Sequence, residues 1–371
     1  MSQRNGYIPT LDGWRGLSVI SVILYHGRFG FFKSFKSHPL LMKLSSHGNM
    51  GVDIFFAISG FLICGLLLHE YARDGSISLR RFYIRRFFRI LPPYYVALAG
   101  IAALAVLRVI QINYSDLPSC LLFYRNYRPL GPFEGGDFYT AHFWSLAIEE
   151  HFYLIWPMLL IAAKPKRAGK VAFILAMAVA AWRAFEGHFN LFPEIFIPSN
   201  LLARTDTRVD ALLWGCIAAI YFPEIKRYME RIRFTELWLP IGTLLLVIEK
   251  FRPPGFLVLQ TILIPALLLS TVIQSDNLLG RVLESRLLRW IGAMSYSLYL
   301  WQEIFLPEVA SEKAVGVFHY LQQPPWNVIA IFACGCLSRY LIEVPMTRLG
   351  HRLSDSSNHQ TFLPKLSMRG A

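Results

Sequence analysis

The 371-residue chain is 54% hydrophobic and 15% aromatic, and only 16% of its residues are charged. An ordinary soluble domain carries roughly 25% charged residues, so this composition excludes a disordered chain and argues against a soluble globular enzyme. Lys plus Arg outnumber Asp plus Glu by 37 to 24, a formal charge of +13. In a soluble protein that excess would raise nucleic acid as a partner. Between long apolar runs it marks the basic loops of a polytopic membrane protein, with the lipid bilayer as partner and no nucleic acid.

The first apolar run extends from about Ile8 to Tyr25 and holds Asp12 and Arg15, so it reads as a retained span rather than a signal peptide. Further spans are centred near Phe56, Ala102, Ile155, Val179, Gly215, Leu244, Ile264, Leu298 and Phe332. At about 20 residues per span, the fold class is all-α with about ten transmembrane helices. Residues 1–344 form the membrane domain, and 345–371 form a polar, loosely ordered cytoplasmic tail. Cys64, Cys120, Cys216, Cys334 and Cys336 contain no CxxC pair and read as small core residues. No metal site is expected.

Placing the N-terminus in the cytoplasm collects about 22 basic residues on the inner side against about 10 outside, so both termini are assigned to the cytoplasm. The inner set includes Arg4, Arg80, Arg81, Lys164, Lys166, Arg231, Arg233, Arg352, Lys365 and Arg369. The outer set includes Arg28, Lys33, Lys36, Lys43, Arg204 and Lys313.

Ionisable groups inside spans cost several kcal/mol and are therefore candidates for function. Arg15 and His26 are eleven residues apart, almost three turns, which puts them on one helix face about 16 Å apart along the axis. A histidine at a helix end can also be a simple interfacial residue. The fourth span opens Phe143-Trp144-Ser145-Leu146-Ala147-Ile148-Glu149-Glu150-His151-Phe152-Tyr153. It carries Glu149 to a depth similar to that of His26, where a carboxylate could orient an imidazole base. Interfacial anions are the alternative for Glu149 and Glu150.

The loop after the second span reads Leu79-Arg80-Arg81-Phe82-Tyr83-Ile84-Arg85-Arg86-Phe87-Phe88-Arg89-Ile90-Leu91-Pro92. Its arginines suit either a phosphate clamp, with Arg86 and Arg89 on one face, or an amphipathic helix on anionic lipid. Asp53, Arg208 and Asp210 are further intramembrane charges, and Arg208 and Asp210 could simply neutralise a mutual partner in the bundle. Aromatic residues of the loop from Gln111 to His142 suit sugar stacking or an interfacial belt, the belt being the default.

With those residues in hand, the sequence resembles the acyltransferase-3 family of integral membrane acyltransferases, which includes bacterial O-antigen and exopolysaccharide O-acetylases. The resemblance runs through Leu11-Asp12-Gly13-Trp14-Arg15-Gly16-Leu17 with His26, and Gly51-Val52-Asp53-Ile54-Phe55-Phe56 to Ile63. It continues in Arg85-Arg86-Phe87-Phe88-Arg89-Ile90-Leu91-Pro92 and Trp144 to Tyr153. Ser295-Tyr296-Ser297-Leu298-Tyr299-Leu300-Trp301 and Ile342-Glu343-Val344-Pro345 close it. Two positions depart from the family pattern: Gln302 stands where histidine is usual, and Val344 where arginine is frequent. Nor does the chain continue into the hydrolase-like domain of some longer members.

The resemblance implies ten transmembrane helices in a bacterial inner membrane, with no permanently bound cofactor. It implies acyl-CoA, acetyl-CoA first, as cytoplasmic co-substrate and an extracytoplasmic carbohydrate hydroxyl as acceptor. The expected catalytic pair is His26 and Glu149, with Arg15, Arg85, Arg86 and Arg89 holding acyl-CoA. Asp12, Asp53, Ser145, Arg208 and Asp210 are the expected supporting network. His26, oriented by Glu149, would deprotonate the acceptor; an acyl-histidine intermediate is the rival route, and Ser59, Ser145 or backbone N–H groups are open choices for the oxyanion. A transporter of a lipid-linked glycan or small anion is the alternative function, opposed by the absence of repeated halves.

Overall fold

The computed structural model describes residues 7–28, 45, 47–129, 138–189, 201–231, 236–253, 255–307 and 314–356. Among these residues there is no strand. Several basic residues of the charge balance lie outside them, namely Arg4, Lys33, Lys36, Lys43, Arg233, Lys313, Lys365 and Arg369, as do 130–137 of the aromatic loop and 357–371 of the tail.

The principal helices are α1 (Pro9–Gly27), α2 (Met50–Asp74), α3 (Leu79–Val106), α4 (Phe143–Ala163), α5 (Pro165–Phe189) and α6 (Asp210–Ile220). They continue as α7 (Trp238–Phe251), α8 (Phe256–Ile273), α9 (Arg286–Trp301), α10 (Trp326–Ser338) and α11 (Val344–Ser356). Every predicted span centre falls within one of α1 to α10. Six segments are long and apolar enough to cross a bilayer: Met50–Asp74, Leu79–Val106, Phe138–Ala163, Pro165–Phe189, Phe256–Ile273 and Trp326–Asp355. The helices α6, α7 and α9 are shorter, with 11, 14 and 16 residues, and α1 carries Asp12 and Arg15.

Two expectations about local structure are corrected. The arginine-rich segment 79–92 is the first half of a single 28-residue helix and not a loop. Ser78 caps it by accepting from the Arg81 N–H, and the sequence to Leu91 contains no helix breaker. Pro92 and Pro93 each remove a donor, yet the helix continues to Val106 because apolar surroundings leave the remaining amides no other partner. The predicted loose tail is helical as far as Ser356: α11 follows α10 through a π-helical turn, Arg339–Glu343, and packs on α3.

Small residues set how closely the helices approach, as is usual where lipid supplies no hydrophobic drive between them. A Cβ on Gly60 of α2 would lie 1.9 Å from the Leu212 carbonyl oxygen of α6, and one on Gly215 would lie 2.3 Å from that of Ala57. On the other side, α1 packs along α9, with Gly16 and Gly292 in direct contact: a Cβ on Gly292 would sit 1.8 Å from the Asp12 carbonyl oxygen. Buried aromatics including Phe56, Phe82, Tyr94, Tyr139, Phe143 and Trp156 fill the centre between α2, α3 and α4. Cys64, Cys120 and Cys216 are buried, in keeping with their reading as core residues, while Cys334 and Cys336 are half-buried.

Candidate active site

A cavity of about 630 Å³ lies between α2, α3, α4 and α9, within the usual range for small-molecule sites. Arg15 of α1 and Arg86 and Arg89 of α3 face it, together with Ser59, Ser145, Glu149, Glu150, Tyr153, Tyr296 and Tyr299. The helical repeat gives the cavity a direction. Ser145, Glu149 and Tyr153 stand four residues apart on one face of α4, so the first and last are about 12 Å apart. The Arg86 guanidinium lies 5.7 Å from the Tyr153 ring centroid, at the opposite end from Ser145.

The arginines divide by helix face. Arg81 and Arg85, one turn apart, both reach Glu70 of α2, at 2.9 and 3.4 Å, and Arg81 also binds Asp74 at 2.7 Å. Arg86 is rotated about 100° from Arg85 and, with Arg89 three residues on, faces the cavity. Neither Arg86 nor Arg89 has an ion-pair partner among the described residues. Arg85, expected with them, therefore stands outside the cavity wall, neutralised by a buried glutamate. Arg15 has Asp12 at 3.8 Å, and Asp12 accepts from the Tyr7 hydroxyl at 2.7 Å.

Glu149 does not meet His26. Its two oxygens accept from the hydroxyls of Ser59 and Tyr153, each at 3.0 Å. The carboxylate beside His26 is Glu303, in the 3₁₀ turn that follows α9, with His26 Nε2 3.4 Å from Glu303 Oε1. The contact between Gly16 and Gly292 explains this. The two helices run in the same direction from that contact, so ten residues further on, at 26 and at 302, their ends are again level.

Glu303 is shared. Its Oε2 lies 2.7 Å from Nδ1 of the fully buried His142 and accepts from the His142 backbone N–H at 3.3 Å. The other ring nitrogens, His26 Nδ1 and His142 Nε2, are buried without a hydrogen-bond partner among the described residues, and so are both amide atoms of Gln302. The Gln302 side chain is within reach of the His26 ring, though neither amide atom makes a well-shaped hydrogen bond among the described residues. The Tyr299 hydroxyl donates to the His142 carbonyl at 3.0 Å and contacts Ser145 Oγ at 2.6 Å. Those two hydroxyls form the cavity wall nearest the His26–Glu303–His142 group.

Of the remaining expected network, Asp53 and Arg208 pair with one another, Gln260 Nε2 donating to Asp53 as well at 3.1 Å. Asp210 takes both guanidinium nitrogens of Arg183 at 2.9 Å. Arg208 and Asp210 thus neutralise separate partners, tying the turn that precedes α6 to α2, and α6 itself to α5. Neither pair lines the cavity. Breaking a buried pair of this kind costs about 3–5 kcal/mol, so their place is in holding the bundle together.

Glu303 and His142 were not among the predicted site residues. Glu303 sits beside Gln302, the position that departs from the family pattern, and His142 immediately precedes the Phe143-Trp144-Ser145 motif; a buried acid and a buried base flanking motifs were the available signals.

An arginine-lined cavity thus lies beside a shared imidazole–carboxylate group, in an all-helical chain with six helices long and apolar enough to cross a membrane among its described residues. The sequence model of the acyltransferase-3 family, described as an acyltransferase domain, matches residues 8–344, and the chain belongs to that family. It is 30% identical over 98% of its length to a putative peptidoglycan O-acetyltransferase, YrhL, of Bacillus subtilis (strain 168), covering 58% of that protein. It is 29% identical over 93% of its length to the peptidoglycan O-acetyltransferase OatA of Listeria monocytogenes, covering 56% of it. A putative O-acetyltransferase of Staphylococcus aureus (strain COL) is likewise 29% identical over 93% of this chain and is covered to 58%. The chain thus spans less than three fifths of the length of these relatives. No solved structure matches it.

Proposed function

We propose that the chain is an acyl-CoA-dependent O-acyltransferase that moves an acyl group, acetyl first, to a hydroxyl of an extracytoplasmic glycan. The relatives' names point to a peptidoglycan-type sugar as the acceptor class. In this reading α1 to α10 cross the inner membrane of a bacterium with both termini in the cytoplasm, and the arginine end of the cavity faces the cytoplasm. The observation that carries the proposal is the placing of Arg15, Arg86 and Arg89 on one cavity whose far wall, Ser145 and Tyr299, adjoins the His26–Glu303–His142 group.

Coenzyme A fits that arrangement chemically. Its phosphates match the guanidinium groups of Arg86 and Arg89, which have no ion-pair partner among the described residues and can bind phosphate as a fork. Its pantetheine arm is long and thin, and the rise from Arg15 to His26 along α1 is about 16 Å. His26, with Nε2–H directed to Glu303, presents Nδ1 as the proton acceptor. The acceptor hydroxyl gives its proton to Nδ1 as its oxygen bonds to the thioester carbonyl carbon. The C–S bond then breaks, and the coenzyme A thiolate takes the proton from the imidazolium. Glu149, held by Ser59 and Tyr153, lies midway along the cavity and acts on the arm rather than on the base.

Purified protein in detergent tests this reading, because acyl transfer needs no membrane gradient. Acetyl-CoA turnover that depends on His26 is expected. A protein that binds acetyl-CoA yet turns it over equally well as His26→Ala would overturn the role of the base.

A further inference from the structure

We infer that α11, the helix lying past the family domain, completes the phosphate end of the donor site, with His351 as a phosphate contact. The inference rests on the acyl-CoA reading above. The family match ends at residue 344, where α11 begins. His351 nevertheless lines the same cavity as Arg15, Arg86 and Arg89.

The seating of α11 is built rather than incidental. Gly350, buried, lies against α3 so closely that a Cβ there would be 2.7 Å from Phe88 Cβ. Phe88 lies between Arg86 and Arg89 in sequence, so the contact falls on the same turn as the cavity arginines. The start of the helix is fixed as well. Glu343, at the end of the π-helical turn, binds Arg339 at 2.5 Å and accepts from Ser297 Oγ of α9 at 2.9 Å. With its entry tied to α9 and its middle pressed on α3, α11 holds the next residue, His351, at the rim of the cavity.

The chemistry asks for such a group. A nucleotide with a diphosphate and a further phosphate presents more anionic oxygens than three guanidinium groups cover, and an imidazole N–H at the rim adds a charge-assisted donor. His351 is exposed, so water screens the contact and the effect is about two- to fivefold in affinity.

The test compares acetyl-CoA with S-acetylpantetheine, which carries the same thioester and no nucleotide phosphates, on the purified full-length protein. For His351→Ala, KM for acetyl-CoA should rise about two- to fivefold with kcat unchanged, and the kinetics with S-acetylpantetheine should not move. His351→Arg should restore the wild-type KM. Gly350→Leu, which forces α11 off Phe88, should reproduce the same donor-selective loss. An unchanged KM in His351→Ala, or equal losses with both donors, overturns the inference while leaving the acyl-CoA reading intact. A wild-type protein that neither binds nor consumes acetyl-CoA overturns both.

Discussion

His26, on the first principal helix, and Glu303, in the turn just past the ninth, meet with Nε2 3.4 Å from Oε1. The meeting is set up ten residues earlier on α1 and eleven residues before Glu303, where Gly16 and Gly292 bring the backbones of α1 and α9 into contact. The carboxylate is kept in place from its other side by the ring and the backbone N–H of His142. Orientation of the base is therefore a property of how two helices pack.

Replacing Glu303 by Gln keeps the volume and removes the anion that orients the His26 ring. The kcat for acetyl transfer should fall by about 10²-fold or more, the range supplied by a positioned acid–base group. Acetyl-CoA binding should stay within about twofold of the wild type, since Glu303 is not on the cavity wall. Rate measurements alongside equilibrium binding check the split.

The arginines of α3 should separate into two phenotypes. Arg86→Ala with Arg89→Ala should weaken acetyl-CoA binding by about 10²-fold, with little change in thermal stability. Arg81→Ala should do the reverse: it strips the half-buried pair from Glu70 and lowers stability by about 1–3 kcal/mol, leaving KM near the wild-type value. Thermal unfolding in detergent, paired with binding isotherms, distinguishes them.

Much of this was legible in the sequence, and the remainder has a common cause. Arg15, Arg86, Arg89, Ser145 and Glu149 could be singled out because polar groups in apolar segments are rare, and all five line the cavity. The partner of His26 could not, because proximity between residues 26 and 303 depends on tertiary register and not on local spacing. Glu149 matched His26 in depth, but depth does not fix direction, and its oxygens turn to Ser59 and Tyr153 instead. Sequence proximity alone groups Arg85 with Arg86 and Arg89 in the arginine-rich segment 79–92. Once that segment is helical, adjacent residues point about 100° apart.

Gly292→Ala should uncouple the site without touching it. The new Cβ would lie 1.8 Å from the Asp12 carbonyl oxygen, so α1 and α9 must part. A loss of about 1–3 kcal/mol in stability is expected, as for overpacked contacts, together with a drop in kcat as His26 and Glu303 separate. Donor binding at Arg86 and Arg89 should be the least affected property, which ligand titration of the folded variant would show.

Gln302 carries a buried amide close to His26, with neither atom in a well-shaped hydrogen bond among the described residues. Gln302→His adds a third imidazole to the same group. The acceptor-dependent rate should change by about threefold or more while acetyl-CoA binding is retained. A panel of glycan acceptors assayed at fixed acetyl-CoA measures this; equal rates across the panel would make the glutamine a neutral replacement.

The central claim is that His26 performs the chemistry and the paired arginines hold the donor. The most direct measurement is binding and turnover of radiolabelled acetyl-CoA by the purified protein, wild type beside His26→Ala and the Arg86→Ala/Arg89→Ala double variant. The account predicts turnover by the wild type, binding without turnover for His26→Ala, and loss of binding for the double variant. Full turnover by His26→Ala, or undiminished binding by the arginine variant, would contradict it.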